Sequence, residues 1–100
     1  MDIIDNAAAS RYEIHVGDEV AFAEYKKRGD VMIFVHTEVP SSLERRGLGG
    51  LLAQRGLDDA RANGMRVLPR CRFVASYIAR HPEYRDLLWT PPPEPQTRAG

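Results

Sequence analysis

Glu38-Val39-Pro40-Ser41-Ser42-Leu43-Glu44-Arg45-Arg46-Gly47-Leu48-Gly49-Gly50-Leu51-Leu52 is the stretch that decides the fold. It reads as the end of a buried strand, a polar loop, three glycines within four residues, and the first turn of a helix. Glycines between strand and helix let the backbone come close to another group, because no Cβ intervenes. The helix start then points unpaired N–H groups and a partial positive charge outward, which favours an anion. The stretch predicts a phosphate-bearing ligand held by backbone amides around Gly47 to Leu51. The alternative is a tight loop whose glycines serve the chain path alone.

Upstream, Val31-Met32-Ile33-Phe34-Val35 is a continuous apolar run, followed by His36-Thr37-Glu38-Val39. Such a run predicts a central strand covered on both faces. Before it, Arg11 to Val16 alternates, with Tyr12, Ile14 and Val16 on one face. Val20 to Tyr25 alternates again, and Gly17-Asp18 and Lys26 to Asp30 are turn signals. Three strands with short links form an antiparallel meander. Residues 1–10 are polar and alanine-rich, which predicts a flexible N-terminus.

Downstream, a helix is expected over Leu48 to Ala62, with Leu48, Leu51, Leu52 and Ala60 sharing a face and Leu57 nearer its edge. Gly56 in mid-helix costs about 1 kcal/mol against alanine, so close helix–sheet packing would explain it. Asn63-Gly64 stops the helix. Arg66 to Pro69 reads as a fourth strand, Phe73 to Arg80 as a second helix ended by His81-Pro82, and Glu83 to Trp89 as a short third. Residues 90–100, with Pro91, Pro92, Pro93 and Pro95, read as a disordered proline-rich tail. The expected class is α/β (α+β), in the order β-β-β-α-β-α-α. The domain spans 11–89, and the last strand lies parallel to the third through a right-handed crossover. The glycine loop then sits at the carboxyl end of the third strand, where open α/β sheets bind ligands.

The totals fit a single soluble domain: 100 residues, 43% hydrophobic and 28% charged, with zero net charge. No apolar run approaches the ~18 residues of a membrane span, and the acidic start lacks a signal peptide's pattern, so no membrane partner and a cytoplasmic location are expected. The single cysteine excludes an internal disulfide, and no cluster has metal-ligand spacing. Charge is uneven. Residues 1–38 carry four basic side chains against eight acidic ones, whereas residues 39–90 carry nine arginines against five acids. The arginine-rich half holds the glycine loop, as an anionic ligand would require. Overall neutrality argues against nucleic acid.

Taken together, the strand, the Val-Pro step, the basic glycine loop and the helix resemble the acetyl-CoA pyrophosphate loop of the GNAT acyltransferases. That family's pattern, Gln/Arg-x-x-Gly-x-Gly/Ala, falls here on Glu44-Arg45-Arg46-Gly47-Leu48-Gly49. Both glycines fit, and Glu44 departs from it, leaving Arg45 or Arg46 to supply the positive charge. With His36-Thr37-Glu38-Val39-Pro40, Leu68 to Tyr77, and Arg80-His81-Pro82-Glu83-Tyr84, the chain is similar to the small single-domain YjdJ-like branch over residues 11 to 88. The resemblance implies a truncated GNAT fold and an acetyl-CoA-dependent N-acetyltransferase acting on a small-molecule or protein amine. It implies that Thr37, Glu38 and Val39 pair with the pantetheine arm. Arg45, Arg46, Gly47, Leu48, Gly49, Gly50 and Leu51 would bind the pyrophosphate. It also implies that Tyr77, beside Ser76, protonates the leaving thiolate. A monomer or a homodimer fits equally.

Four residues carry candidate chemistry. Glu38, at the end of the central strand, can take a proton from an amine directly or through water, and is otherwise a solvated carboxylate. His36 shares its face, and its imidazole is a side chain suited to proton transfer, or it is a structural histidine. Tyr77 is an acid or a core aromatic, and Tyr84 a weaker version of the same. Cys71 precedes a helix start between Arg70 and Arg72, which favours a thiolate able to take an acetyl group covalently; the alternative is a small buried hydrophobe. Two other function classes remain: a non-catalytic CoA-binding or protein-interaction module, and a thiol-based acyl carrier or redox protein working through Cys71.

Overall fold

A computed structural model describes residues 2–92. Five strands form one sheet in sequence order: β1 (Ile4–Asn6), β2 (Arg11–Val16), β3 (Glu19–Arg28), β4 (Val31–Glu38) and β5 (Arg66–Pro69). The first four are antiparallel neighbours, and β5 lies parallel to β4 after the crossover through α1 (Leu48–Ala62). Helix α2 (Arg72–Arg80) follows β5, and a 3-10 segment (Pro82–Leu87) follows α2. The meander, the parallel strand and both long helices stand where the sequence places them. The third helix is instead 3-10, ending before Trp89, whose N–H donates to the Val67 carbonyl. The proline-rich tail lies, from residue 93 on, outside the described residues. No described helix is long and apolar enough to cross a membrane.

The N-terminus departs from expectation. Rather than fraying, Ile4–Asn6 pairs with β2, and a 3-10 turn at Ala7–Ala9 leads into it. Its anchors are distant in sequence: Tyr25 Oη donates to Asp5 (2.6 Å), and Arg55 of α1 donates to the Ile3 carbonyl (3.1 Å).

One core lies between the sheet and the two helices. Tyr12, Ile14, Ala21, Ala23, Tyr25, Met32, Phe34 and Val67 point into it from the strands, as period-two alternation requires. From α1 it receives Leu48, Leu52, Ala53, Leu57 and Ala60, and from α2 Val74 and Ile78. Leu57 is fully buried and Leu51 is 38% exposed, so the apolar stripe is rotated from the expected one. Gly56 has a steric cause. A Cβ there would stand 2.6 Å from Phe34 Cζ and 3.3 Å from Tyr12. The sheet's other face carries no helix among the described residues. Val31, Ile33 and Val35 are therefore half-buried, and β4 is not covered on both faces as its apolar run suggested.

On that helix-free face Glu13 is 4% exposed. It survives burial because three donors converge on it: Arg11 Nε, His15 Nε2 (2.8 Å) and Asn6 Nδ2 (3.0 Å). The Arg11 hydrogen bond, then that of His15, holds its carboxyl at about 2. A folded-state pKa below the unfolded value means that this stabilisation is present above about pH 4.5 and is lost as pH falls toward 2. Glu13→Gln is expected to lower the melting temperature at neutral pH. Its deficit against wild type should shrink steadily through that acid window, and a constant deficit would contradict the assignment.

Candidate functional site

The site begins with one extra residue in β4. Register runs Glu24↔His36 but Tyr25↔Phe34, so Val35 is bulged out of the pairing. Cross-strand partners share a face. Phe34 opposite Tyr25 therefore points to the core, and Thr37 opposite Ala23 does too, while His36 and Glu38 point to the helix-free face. Without the bulge, His36 would continue the inward series of Met32 and Phe34.

Next, β5 leaves β4 early. Pairing covers only Val31 to Phe34, and the N–H groups of Arg70 (3.0 Å) and Cys71 (2.9 Å) then both donate to the Phe34 carbonyl. The chain turns away into α2, and Val35 to Glu38 keep a free edge on that side among the described residues. Past Phe34 the end of β5 and the turn into α2 leave a split beside the open edge of β4. Cys71, at the N-cap of α2 and 8% exposed, lies across its base and donates its thiol to Thr37 Oγ1 at 3.3 Å.

Beyond the open end runs the glycine loop. Leu43 is buried beneath it and Ser42 donates to Glu19, which fixes its path. Arg45 and Gly47 take left-handed conformations with φ of 67° and 74°. Gly47 caps α1 without any side-chain acceptor, and the first amide answered inside the helix is that of Leu51, to the Gly47 carbonyl. The N–H groups of the first turn are thus left for another partner. A cavity of about 290 Å³ lies here, walled by Val39, Leu43, Glu44, Gly47 and Phe73 among others. Gly49 is bare because Phe73 fills its Cβ position, at 2.6 Å from Cζ, while a Cβ on Gly50 would touch Tyr77 at an ordinary 3.6 Å.

The four sequence candidates are not gathered at one point. Cys71 joins Thr37 in the split. His36 and Glu38 stand together on the helix-free face, 3.5 Å apart and both exposed, with His36 edge-on to Phe22. Tyr77 lies between α2 and α1, stacked on His81 at 3.9 Å. Tyr12, Tyr25 and Tyr84 each give their hydroxyl to a carboxylate, but Tyr77 has no such partner among the described residues. Burial raises the Tyr77 pKa, with Glu83 and Asp58 adding to it, so the phenol stays protonated at neutral pH. Tyr84, bonded to Asp58, is structural, and His81 caps α2 through a bond from Nδ1 to the Tyr77 carbonyl.

Sequence reasoning missed Phe73. It is 38% exposed and walls both the loop cavity and a larger one, about 610 Å³, along Arg72, Ser76 and Arg80. Its signal was a phenylalanine off the Val74/Ile78 stripe of α2. Among the described residues no group of three or more His, Cys, Asp or Glu is placed to hold a metal ion.

Comparison with known proteins bears on the family and the fold. A family model described as GCN5-related N-acetyl-transferase matches residues 11–87. The solution structure of a GCN5-like protein from Staphylococcus aureus is similar, with a TM-score of 0.72 over 93% of this chain and 92% of that one. At 19% identity that likeness speaks to the fold.

Proposed function

The chain belongs to the GCN5-related N-acetyltransferases, and from that premise we propose that it transfers the acetyl group of acetyl-CoA to an amine. The observation that carries this is the split between β4 and β5, opening onto an uncapped helix start beside a loop of bare backbone. An anionic pyrophosphate suits the amides of Arg46 to Leu51, with Arg45 and Arg46 adding charge. An amide-bearing arm suits the free edge of Thr37, Glu38 and Val39. A thioester extended along that edge arrives at Cys71.

In this reading the Cys71 thiol loses its proton to solvent and its sulfur attacks the thioester carbonyl carbon. The CoA thiolate leaves and takes a proton from Tyr77. The amine, relieved of its proton by Glu38 with His36 beside it, then attacks the carbonyl carbon of the S-acetyl group from the helix-free face; the C–S bond breaks, the Cys71 thiolate takes the second proton of the nitrogen, and Tyr77 and Glu38 exchange theirs with solvent. Calorimetry with acetyl-CoA and CoA, release of CoA thiol across an amine panel, and intact mass after exposure to acetyl-CoA test it. The expected results are binding of both, thiol release, and one acetyl group on Cys71. Absence of binding overturns the reading. Binding without thiol release describes a non-catalytic CoA binder, and undiminished turnover in Cys71→Ala replaces the covalent route with direct attack.

A further inference from the structure

A groove of about 490 Å³ runs down the helix-free face, on the side of the sheet away from the core. Its floor is apolar: Val31, Ile33 and the bulged Val35 of β4, Leu68 of β5, and Trp89. Its polar rim is Lys26, Arg28 and Arg70. No carboxylate lines it, and none of the three cations is ion-paired among the described residues. In a chain of zero net charge, three such cations around an apolar floor are a local imbalance that a ligand of opposite sign would balance. The groove's upper end is also specific. Val35 is the residue expelled from register, and Arg70 is the first residue after β5, where its N–H turns to Phe34. The groove therefore reaches the split from the face opposite the core, beside His36 and Glu38, while the glycine loop serves the split from its other end.

We propose that this groove is the acceptor site, and that it selects an amine whose apolar body ends in an oxyanion. The inference rests on the acetyl-transfer reading above. The apolar body lies along Ile33, Leu68 and Trp89, the oxyanion meets Arg70, Lys26 and Arg28, and the amine reaches toward the Val35 bulge. Guanidinium forks fit carboxylate and phosphate alike, so both belong to the class.

Trp89 is the only tryptophan, so its fluorescence reports entry into the groove whether or not turnover is detected. Three matched probes serve: N-acetyl-ε-aminocaproate, the corresponding acetylated aminohexyl phosphate, and the neutral N-hexylacetamide. A saturable Trp89 response is expected from one or both anions, at least about tenfold tighter than from the neutral probe. A response confined to one anion identifies the oxyanion as carboxylate or phosphate. Lys26 and Arg70 are exposed side chains, so Lys26→Gln/Arg70→Gln keeps the fold and is expected to erase the preference while acetyl-CoA binding by calorimetry is unchanged. Equal response to anionic and neutral probes, no response to any, or a preference that survives in the double variant overturns the proposal. Loss of acetyl-CoA binding in wild type instead overturns the reading beneath it.

Discussion

Gly56→Val is expected to lower the melting temperature by more than about 10 °C, and Gly56→Ala to lower it as well. A helix-interior glycine replaced by alanine ordinarily gains about 1 kcal/mol. Here the added Cβ would stand 2.6 and 2.7 Å from Cζ and Cε1 of Phe34, a ring with no exposed surface. Tyr12, on the other side at 3.3 Å, is held by its hydroxyl bond to Asp59. Overpacking of this kind costs about 1–3 kcal/mol and more for a branched side chain, which outweighs the propensity gain. In a domain of this length each kcal/mol shifts the midpoint by about 4–8 °C. Gly50→Ala is the internal control: its Cβ would meet Tyr77 at 3.6 Å, so its thermal midpoint is expected to stay level or rise. Thermal unfolding followed by circular dichroism checks both. A Gly56→Ala protein as stable as wild type would mean that α1 can ride away from the sheet, and that the glycine is not what sets their approach.

The contrast between these glycines marks what could be read beforehand. That Gly56 needs close packing was legible, because a mid-helix glycine is costly without a cause. Which ring lay beneath it was not, since Phe34 and Tyr12 are brought there by strands far off in sequence. The same limit hid the N-terminal strand. Ile4–Asn6 has no pattern of its own, and the groups that hold it, Tyr25 and Arg55, stand tens of residues away. The burial of Glu13 was hidden too, because a strand's alternation says nothing of three donors converging on a carboxylate. The loop was legible because its information is local: Pro40, the glycines and the leucines after them each constrain the backbone where they stand. The bulge was not. Val35 is one more apolar residue in an apolar run, and nothing in its identity tells that it drops out of register. That single slip turns His36 and Glu38 away from the core side and Thr37 toward it, so that Thr37 rather than His36 or Glu38 meets Cys71.

Gly49→Val is expected to reduce acetyl-CoA affinity by more than about a hundredfold with little change in thermal midpoint. From sequence, the reason was that a branched side chain would block the approach of a phosphate to the backbone. In the structure the space beside Gly49 is taken by Phe73, whose Cζ would lie 2.6 Å from a Cβ. Unlike Phe34, this ring is the partly exposed far end of a side chain and can swing outward, so the fold tolerates the change. The loop cavity does not, because Phe73 is one of its walls. Two causes of lost affinity are thereby separable. If the displaced ring closes the site, Gly49→Val/Phe73→Ala recovers part of the affinity that Gly49→Val loses. If the valine itself obstructs the ligand, the double variant binds no better than the single one. Calorimetry with acetyl-CoA on wild type, both single variants and the double variant completes the cycle. Undiminished affinity in Gly49→Val would remove the pyrophosphate from this loop, since a ligand seated on the first-turn amides of α1 cannot be indifferent to a branched side chain among them.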